Sequence, residues 1–193
     1  MTMSVLSVNV PRPAGSPGPL RLEPADGPVG VGLTGFARCA AGHPVGEDPA
    51  LAAELALSHA LYAYPTLHLP VWRTMRAQAG VAPPDAPIPP GSFDEHLMLD
   101  GVDETRLWEG DLLRFPDLTL VVSVPRLPDA RFNETLEFPH AAKMVAQSRW
   151  CGFWLSVRVP GTIAAGQAFE LIPGPRATGV VELFRARTTK MAW

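Results

Sequence analysis

Hydrophobic residues in this chain come in short runs cut by proline and glycine, a pattern of strands rather than of long helices. Met3 to Val10 alternates aliphatic residues (Val5, Leu6, Val8, Val10) with small or polar ones and stops at Pro11, which predicts a first strand. Residues 11–28, rich in proline and glycine, read as a loop with a short extended piece at Leu20 to Leu22. Val29 to Ala37 is the next predicted strand, with Gly30 and Gly32 leaving room for a bulge or a close backbone approach. Asp48-Pro49 then supplies a helix cap and a proline at the first helical position, and good helix formers follow through Leu61. Leu51, Leu55, Ser58 and Tyr62 fall near one face of this helix, widened by Leu57 and Leu61, so it is expected to pack on a sheet. Tyr64-Pro65-Thr66 breaks it, and Thr66 is placed to cap a second helix to about Gln78, with Leu69, Trp72, Met75 and Arg76 as a partly buried face.

The pattern lapses over residues 77–92, a proline-rich loop. Beyond it Phe93 to Leu99 reads as extended, Asp100-Gly101 as a turn, and Thr105 to Trp108 and Asp111 to Phe115 as short strands. Leu118 to Val124, aliphatic and bounded by Pro116 and Pro125, is predicted to be a central strand buried on both faces. Pro139 opens a short helix to about Ser148. Gly152 to Val159, Phe169 to Ile172 and Gly179 to Arg187 complete the strands. Many short strands with proline and glycine turns and few helices predict a mainly β fold, a closed or nearly closed β-barrel. The 193 residues fit one domain, 1–193.

Composition narrows the function classes. Hydrophobic residues at 47% and charged ones at 18% describe a soluble globular protein. A formal charge of −3, with scattered Lys and Arg, gives no field for a nucleic-acid backbone. The first residues lack a basic flank before their apolar run, and no apolar stretch is long enough to span a membrane, so a cytoplasmic protein with Cys39 and Cys151 reduced is expected.

Cys39 and His43 stand four apart and the other histidines are dispersed, so no metal site is expected; His68 reads as a helix-surface residue. No nucleophile elbow is present, Cys151 reads as a buried thiol, and the glycines of residues 30–35 lack both the lysine of a phosphate loop and a following helix. Two polar groups remain. One is the corner after the central strand, VPRLPDARFN, with Arg126, Asp129, Arg131 and Asn133 held on a proline-stiffened backbone. The other is Asp94, Glu95 and His96 at the entry of a strand. Facing each other across a barrel mouth, they would form a pocket of both charge signs for an anionic or heteroaromatic small molecule.

The order of these motifs resembles the MOSC family, the domain named after the C-terminal part of molybdenum cofactor sulfurases. VLSVNVPRP resembles its first strand, FDEHLMLDGVDETRLWEGDLLRF its Gly-Glu-Asn-Leu segment and VPRLPDARFN its Pro-Arg-x-Pro-Cys corner. AAKMVAQSRWCGFWLSVRVPGTIAAGQAFELI resembles its helix, turn and closing strand pair. The resemblance implies a β-barrel that binds the molybdenum cofactor, a molybdopterin, with a cysteine as sulfur carrier or metal ligand. That cysteine falls at Asp129, the Asn of Gly-Glu-Asn-Leu at His96 and its Gly at Asp94, while ELALSH stands where a Val-His-Gly-Gly segment is expected. A carboxylate forms no persulfide, so sulfur transfer is not expected.

The leading expectation is therefore binding of a pterin-type or other anionic small molecule, with Arg126, Arg131, Asn133 and Glu95 as cofactor-binding residues. The alternatives are a reductase-like or hydrolytic enzyme on N-hydroxylated small molecules, with Asp129 and His96 as catalytic residues, and an inert barrel serving as an interaction module through Trp108, Trp150 or Trp193.

Overall fold

In the computed structural model, which describes residues 2–36 and 49–189, the predicted strands join edge to edge until they close. In chain order the first half holds β1 (Met3–Pro11), β2 (Leu22–Pro24), β3 (Val29–Gly32), β4 (Gly35–Phe36), α1 (Pro49–Ser58), β5 (Leu61–Pro65), α2 (Leu69–Gln78) and β6 (Leu97–Asp100). The second half holds β7 (Leu112–Arg114), β8 (Thr119–Pro125), α3 (Ala130–Thr135), α4 (Ala141–Ser148), β9 (Phe153–Val159), β10 (Gly161–Ile163), β11 (Ala168–Ile172) and α5 (Val180–Thr188). The order β11–β7–β8–β9–β5–β6–β1 is completed by pairing of β1 with β11, Met3 opposite Phe169, which makes a closed seven-stranded barrel. Closure leaves its strands no free edge. Its ladders are antiparallel except β5 with β6, where Ala63 lies opposite Leu97. β2 extends the far end of β1, and β10, β3 and β4 form a separate small sheet. No helix among the described residues is long and apolar enough to cross a membrane.

Several expectations from the pattern are corrected here. The first helix stops at Ser58, and Leu61 and Tyr62 belong to β5, which is buried at every position. Burial on both faces removes the alternation that marks a strand, and the apolar residues of α1 run straight into it. Gly179 to Arg187 is helical: Val180 and Phe184, one turn apart, are its buried contacts. Val29 to Phe36 is a hairpin of two short strands; Ala37 and the capping Asp48 lie outside the described residues, as do Cys39, His43 and Trp193. Thr105 to Trp108 is no strand, because Asp103 accepts a hydrogen bond from the Thr105 N–H and caps a 3-10 turn over Glu104–Arg106. β8 is buried alternately, not on both faces. Thr66 caps no helix; its hydroxyl donates to Asp100 at 2.6 Å. His68 is not a surface residue but 5% exposed.

β1 is tied to the entry of β6 by a buried carboxylate. Glu95, fully buried, accepts the N–H groups of Gly91 (2.6 Å) and Phe93 (2.9 Å) and the side-chain amide of Asn9 (3.0 Å). The same amide donates to the Glu95 carbonyl at 2.9 Å, and the Asn9 N–H donates to the His96 carbonyl at 2.8 Å. The turn this stabilises places Asp94 at φ 55°, a left-handed conformation that aspartate tolerates better than most residues. Burial raises the Glu95 carboxyl from the usual range to about 7, against the backbone donors that favour its charge.

Because the folded protein holds this proton more tightly than the unfolded chain, the contribution of Glu95 to stability is complete below about pH 4.5 and is lost as pH rises through about 7. Glu95→Gln should flatten that slope in urea melts taken from pH 4.5 to 8. It should also cost about 1–3 kcal/mol at pH 5, since an amide NH2 then faces backbone N–H donors. A second prediction concerns Gly152, at φ 61°, where an added Cβ would lie 2.5 Å from the Ala63 carbonyl oxygen and 2.6 Å from the Tyr62 hydroxyl. Gly152→Ala should destabilise by about 3 kcal/mol or more, whereas Gly166→Ala, at φ 81° with open space around it, should cost about 1–2 kcal/mol of backbone strain alone.

Candidate functional site

β8 runs out at Pro125, and the next side chain turns back into the molecule. Arg126 is 8% exposed and donates to the Phe93 carbonyl at 2.7 Å. Its guanidinium lies over the rings of Phe132 (4.4 Å) and Tyr62 (4.9 Å), a cation–π site from both. Its Nη2 stands 3.4 Å from Asp129 and 3.9 Å from Asp94. Arg131 pairs with Asp94 at 2.9 Å. The structure thus brings the Asp94 turn and the Arg126–Arg131 corner together.

Asp129 is the N-cap of α3, accepting the Arg131 N–H at 2.9 Å, and its side chain remains about half exposed (53%). Arg131 spreads its donors over Asp94, Glu134 (2.6 Å) and the Pro19 carbonyl (3.2 Å). That last bond draws the loop before β2 over the corner. Arg131, Arg12 and Arg21 then line a cleft of about 390 Å³, with Ser16 and Pro19 among its other walls. Arg12 and Arg21 are set there by the strand-like bond from the Arg12 N–H to the Arg21 carbonyl, 2.8 Å. Arg12 donates to the Pro17 carbonyl and lies 3.6 Å from Glu23, while the Arg21 side chain has no ion pair among the described residues.

The other residues singled out in the sequence face structural partners. Both Glu95 oxygens are engaged in the turn. Asn133 accepts the Ala142 N–H at 2.9 Å and so joins α3 to the start of α4. His96 accepts the Tyr62 N–H at Nδ1, 2.9 Å, so its neutral ring carries the proton on Nε2, and its edge meets Phe36. Arg12 and Arg21 do not stand out in the sequence because they sit in a stretch that reads as loop; their signal was that Arg12 directly follows the first strand and Arg21 lies within the short extended piece Leu20 to Leu22. Cys151 is fully buried and burial pushes its thiol up, so it offers no thiolate. Among the described residues no group of three metal-ligating side chains converges.

The MOSC domain model matches residues 48–170. Protein YiiM of Escherichia coli is 29% identical over 116 residues, 58% of this chain and 48% of that protein. A protein named reductase from Gibberella moniliformis is 25% identical over 172 residues, 86% of this chain but 28% of that protein. The chain therefore spans less than half the length of either relative. The crystal structure of YiiM from Geobacillus stearothermophilus superposes with a TM-score of 0.72 at 24% identity, covering 96% of this chain and 83% of that one, and shares its fold. With the family pattern covering most of the barrel and the barrel itself shared, this chain belongs to the MOSC domain family.

Proposed function

We propose that this MOSC domain binds a phosphate- or carboxylate-bearing small molecule in the cleft beside Asp129. The observation that carries the reading is the convergence of Arg12, Arg21 and Arg131 on one cavity of about 390 Å³, lined by no carboxylate. Guanidinium groups present paired N–H donors that match phosphate and carboxylate geometry. Arg126 serves by position: its own donors and ring faces are used within the protein, and it fixes the corner that presents Arg131.

The molybdenum cofactor, which the family implies, joins a metal-binding end to a pterin phosphate. The arginine cleft fits its anionic end. The metal end does not fit, because the residue at the family's cysteine position is a carboxylate that caps a helix and faces Arg126, a hard donor where thiolate is favoured. The reading is therefore of a pterin phosphate or similar anion held without sulfur transfer.

Protein purified gently from a host that makes the cofactor should carry pterin, seen as fluorescence after oxidation, with little molybdenum by mass spectrometry. In calorimetric titrations with pyrophosphate as probe, Arg21→Ala should weaken binding by roughly tenfold, the loss of one charge-assisted hydrogen bond. Arg131→Ala should weaken it at least as much. Asp129→Cys should raise the molybdenum content. A wild type that carries no pterin and binds pyrophosphate no better than the Arg21→Ala variant would end this reading.

A further inference from the structure

A second cavity, of about 450 Å³, opens away from the arginine cleft, between the start of α2, the 3-10 turn at Glu104–Arg106, the end of α4 and α5. At its wall is a buried pair: His68 Nε2 lies 2.7 Å from Glu104 Oε2, with the two side chains 7% and 2% exposed. The other Glu104 oxygen accepts the Gly152 N–H at 2.8 Å. The carboxylate is thus fixed twice, and in the neutral form of the imidazole the proton it meets is on Nε2. His68 Nδ1, an acceptor in that tautomer, has no partner among the described residues. Trp150 stacks on the His68 ring at 4.9 Å and Tyr64 meets its edge at 5.8 Å, so the ring cannot turn freely.

The rest of the lining divides by chemistry. Trp150, Val71, Leu67 and Val181 give it apolar walls, and Leu67 and Val71 are 63% and 40% exposed at the mouth. Arg149 and Arg185 are also exposed lining residues, and neither guanidinium has an ion pair among the described residues. The acids in the lining are already engaged: Glu104 by His68 and Gly152, and Asp103 by the N–H and hydroxyl of Thr105. What remains available is an apolar slot, two cations and one fixed acceptor. A volume of this size is that of a small-molecule site.

We propose that this cavity is a second ligand site, for a small ring-bearing carboxylate that also carries a hydroxyl or N–H donor. The ring lies against Trp150 and the aliphatic side chains, the carboxylate meets Arg149 and Arg185, and the donor reaches His68 Nδ1. Glu104 acts as a positioning residue that sets the tautomer of His68.

The probe is para-hydroxybenzoate, compared with the uncharged para-hydroxybenzamide, followed through the His68 ring and Trp150 indole resonances by NMR. The benzoate should give saturable shifts at both residues and bind about fivefold more tightly than the amide, the scale of an exposed ion pair. Arg185→Ala should reduce that preference, and removal of Arg149 as well should abolish it. Val71→Trp, at an exposed position, should block the slot while leaving the melting temperature unchanged. Arg21→Ala should leave binding here untouched, which separates this site from the arginine cleft. Absence of saturable shifts, equal affinity for acid and amide, or binding unaffected by both Arg185→Ala and Val71→Trp would each overturn the proposal.

Discussion

Glu95 accepts three N–H groups in a place closed to water, and the geometry of both the barrel and its corner follows from that. The turn it holds aims the Phe93 carbonyl outward to Arg126, and it sets Asp94 where both Arg126 and Arg131 reach it. The same contact with Asn9 locks β1 beside β6, which is one of the two seams that close the ring. A buried acceptor of this kind is stabilising only while every donor around it is satisfied. An error at Glu95 therefore reaches the strand ladder and the arginine corner together.

β5 links the His68 cavity to the Arg126 corner. Tyr62 and Tyr64, two residues apart and so on the same face of the strand, are both fully buried with rings 6.5 Å apart. Tyr62 lies under the Arg126 guanidinium and donates its hydroxyl to the Cys151 carbonyl at 2.8 Å. Tyr64 stacks on Phe93 at 3.8 Å, accepts the Trp72 indole N–H at 2.8 Å and meets His68 with its edge. A continuous packed column thus runs from Trp150 through His68, Tyr64 and Phe93 to Arg126. Packing of this density transmits displacement poorly as bending and well as rigid support, so the wall of the His68 cavity and the Arg126 corner share one foundation.

How far the sequence was legible depended on where a strand lies in the barrel. β1, β8 and β9 have alternating or proline-bounded runs and were readable at their positions. β5, with no exposed residue, left no alternation and merged with the helix before it. In α5 the valines carried a strand propensity that the spacing of Val180 and Phe184 overrode. At the corner, the residue types of Arg126, Asp129 and Arg131 pointed to a charged cluster, because proline on either side holds polar groups at a strand end. Arg12 and Arg21 are joined to Arg131 through its long-range bond to Pro19, and the His68–Glu104 pair joins residues 36 apart in sequence. Neither pairing leaves a local pattern to read.

Two carboxylates of the corner bear on Arg126: Asp94, which also pairs with the Arg131 guanidinium, and Asp129, which also accepts the Arg131 N–H. Asp94 is held in a left-handed conformation whose strain of about 1 kcal/mol is offset by its contacts with Arg131 and Arg126. Asp129 caps α3, a task for which aspartate is among the best residues and which contributes about 0.5–2 kcal/mol. Both place a negative charge beside Arg126. The corner is thereby neutralised from within, and the lining guanidinium left without a carboxylate among the described residues is that of Arg21, whose cleft is tied to the corner by Arg131. A change at Asp129 alone would therefore leave Arg126 still facing the Asp94 carboxylate, 3.9 Å away.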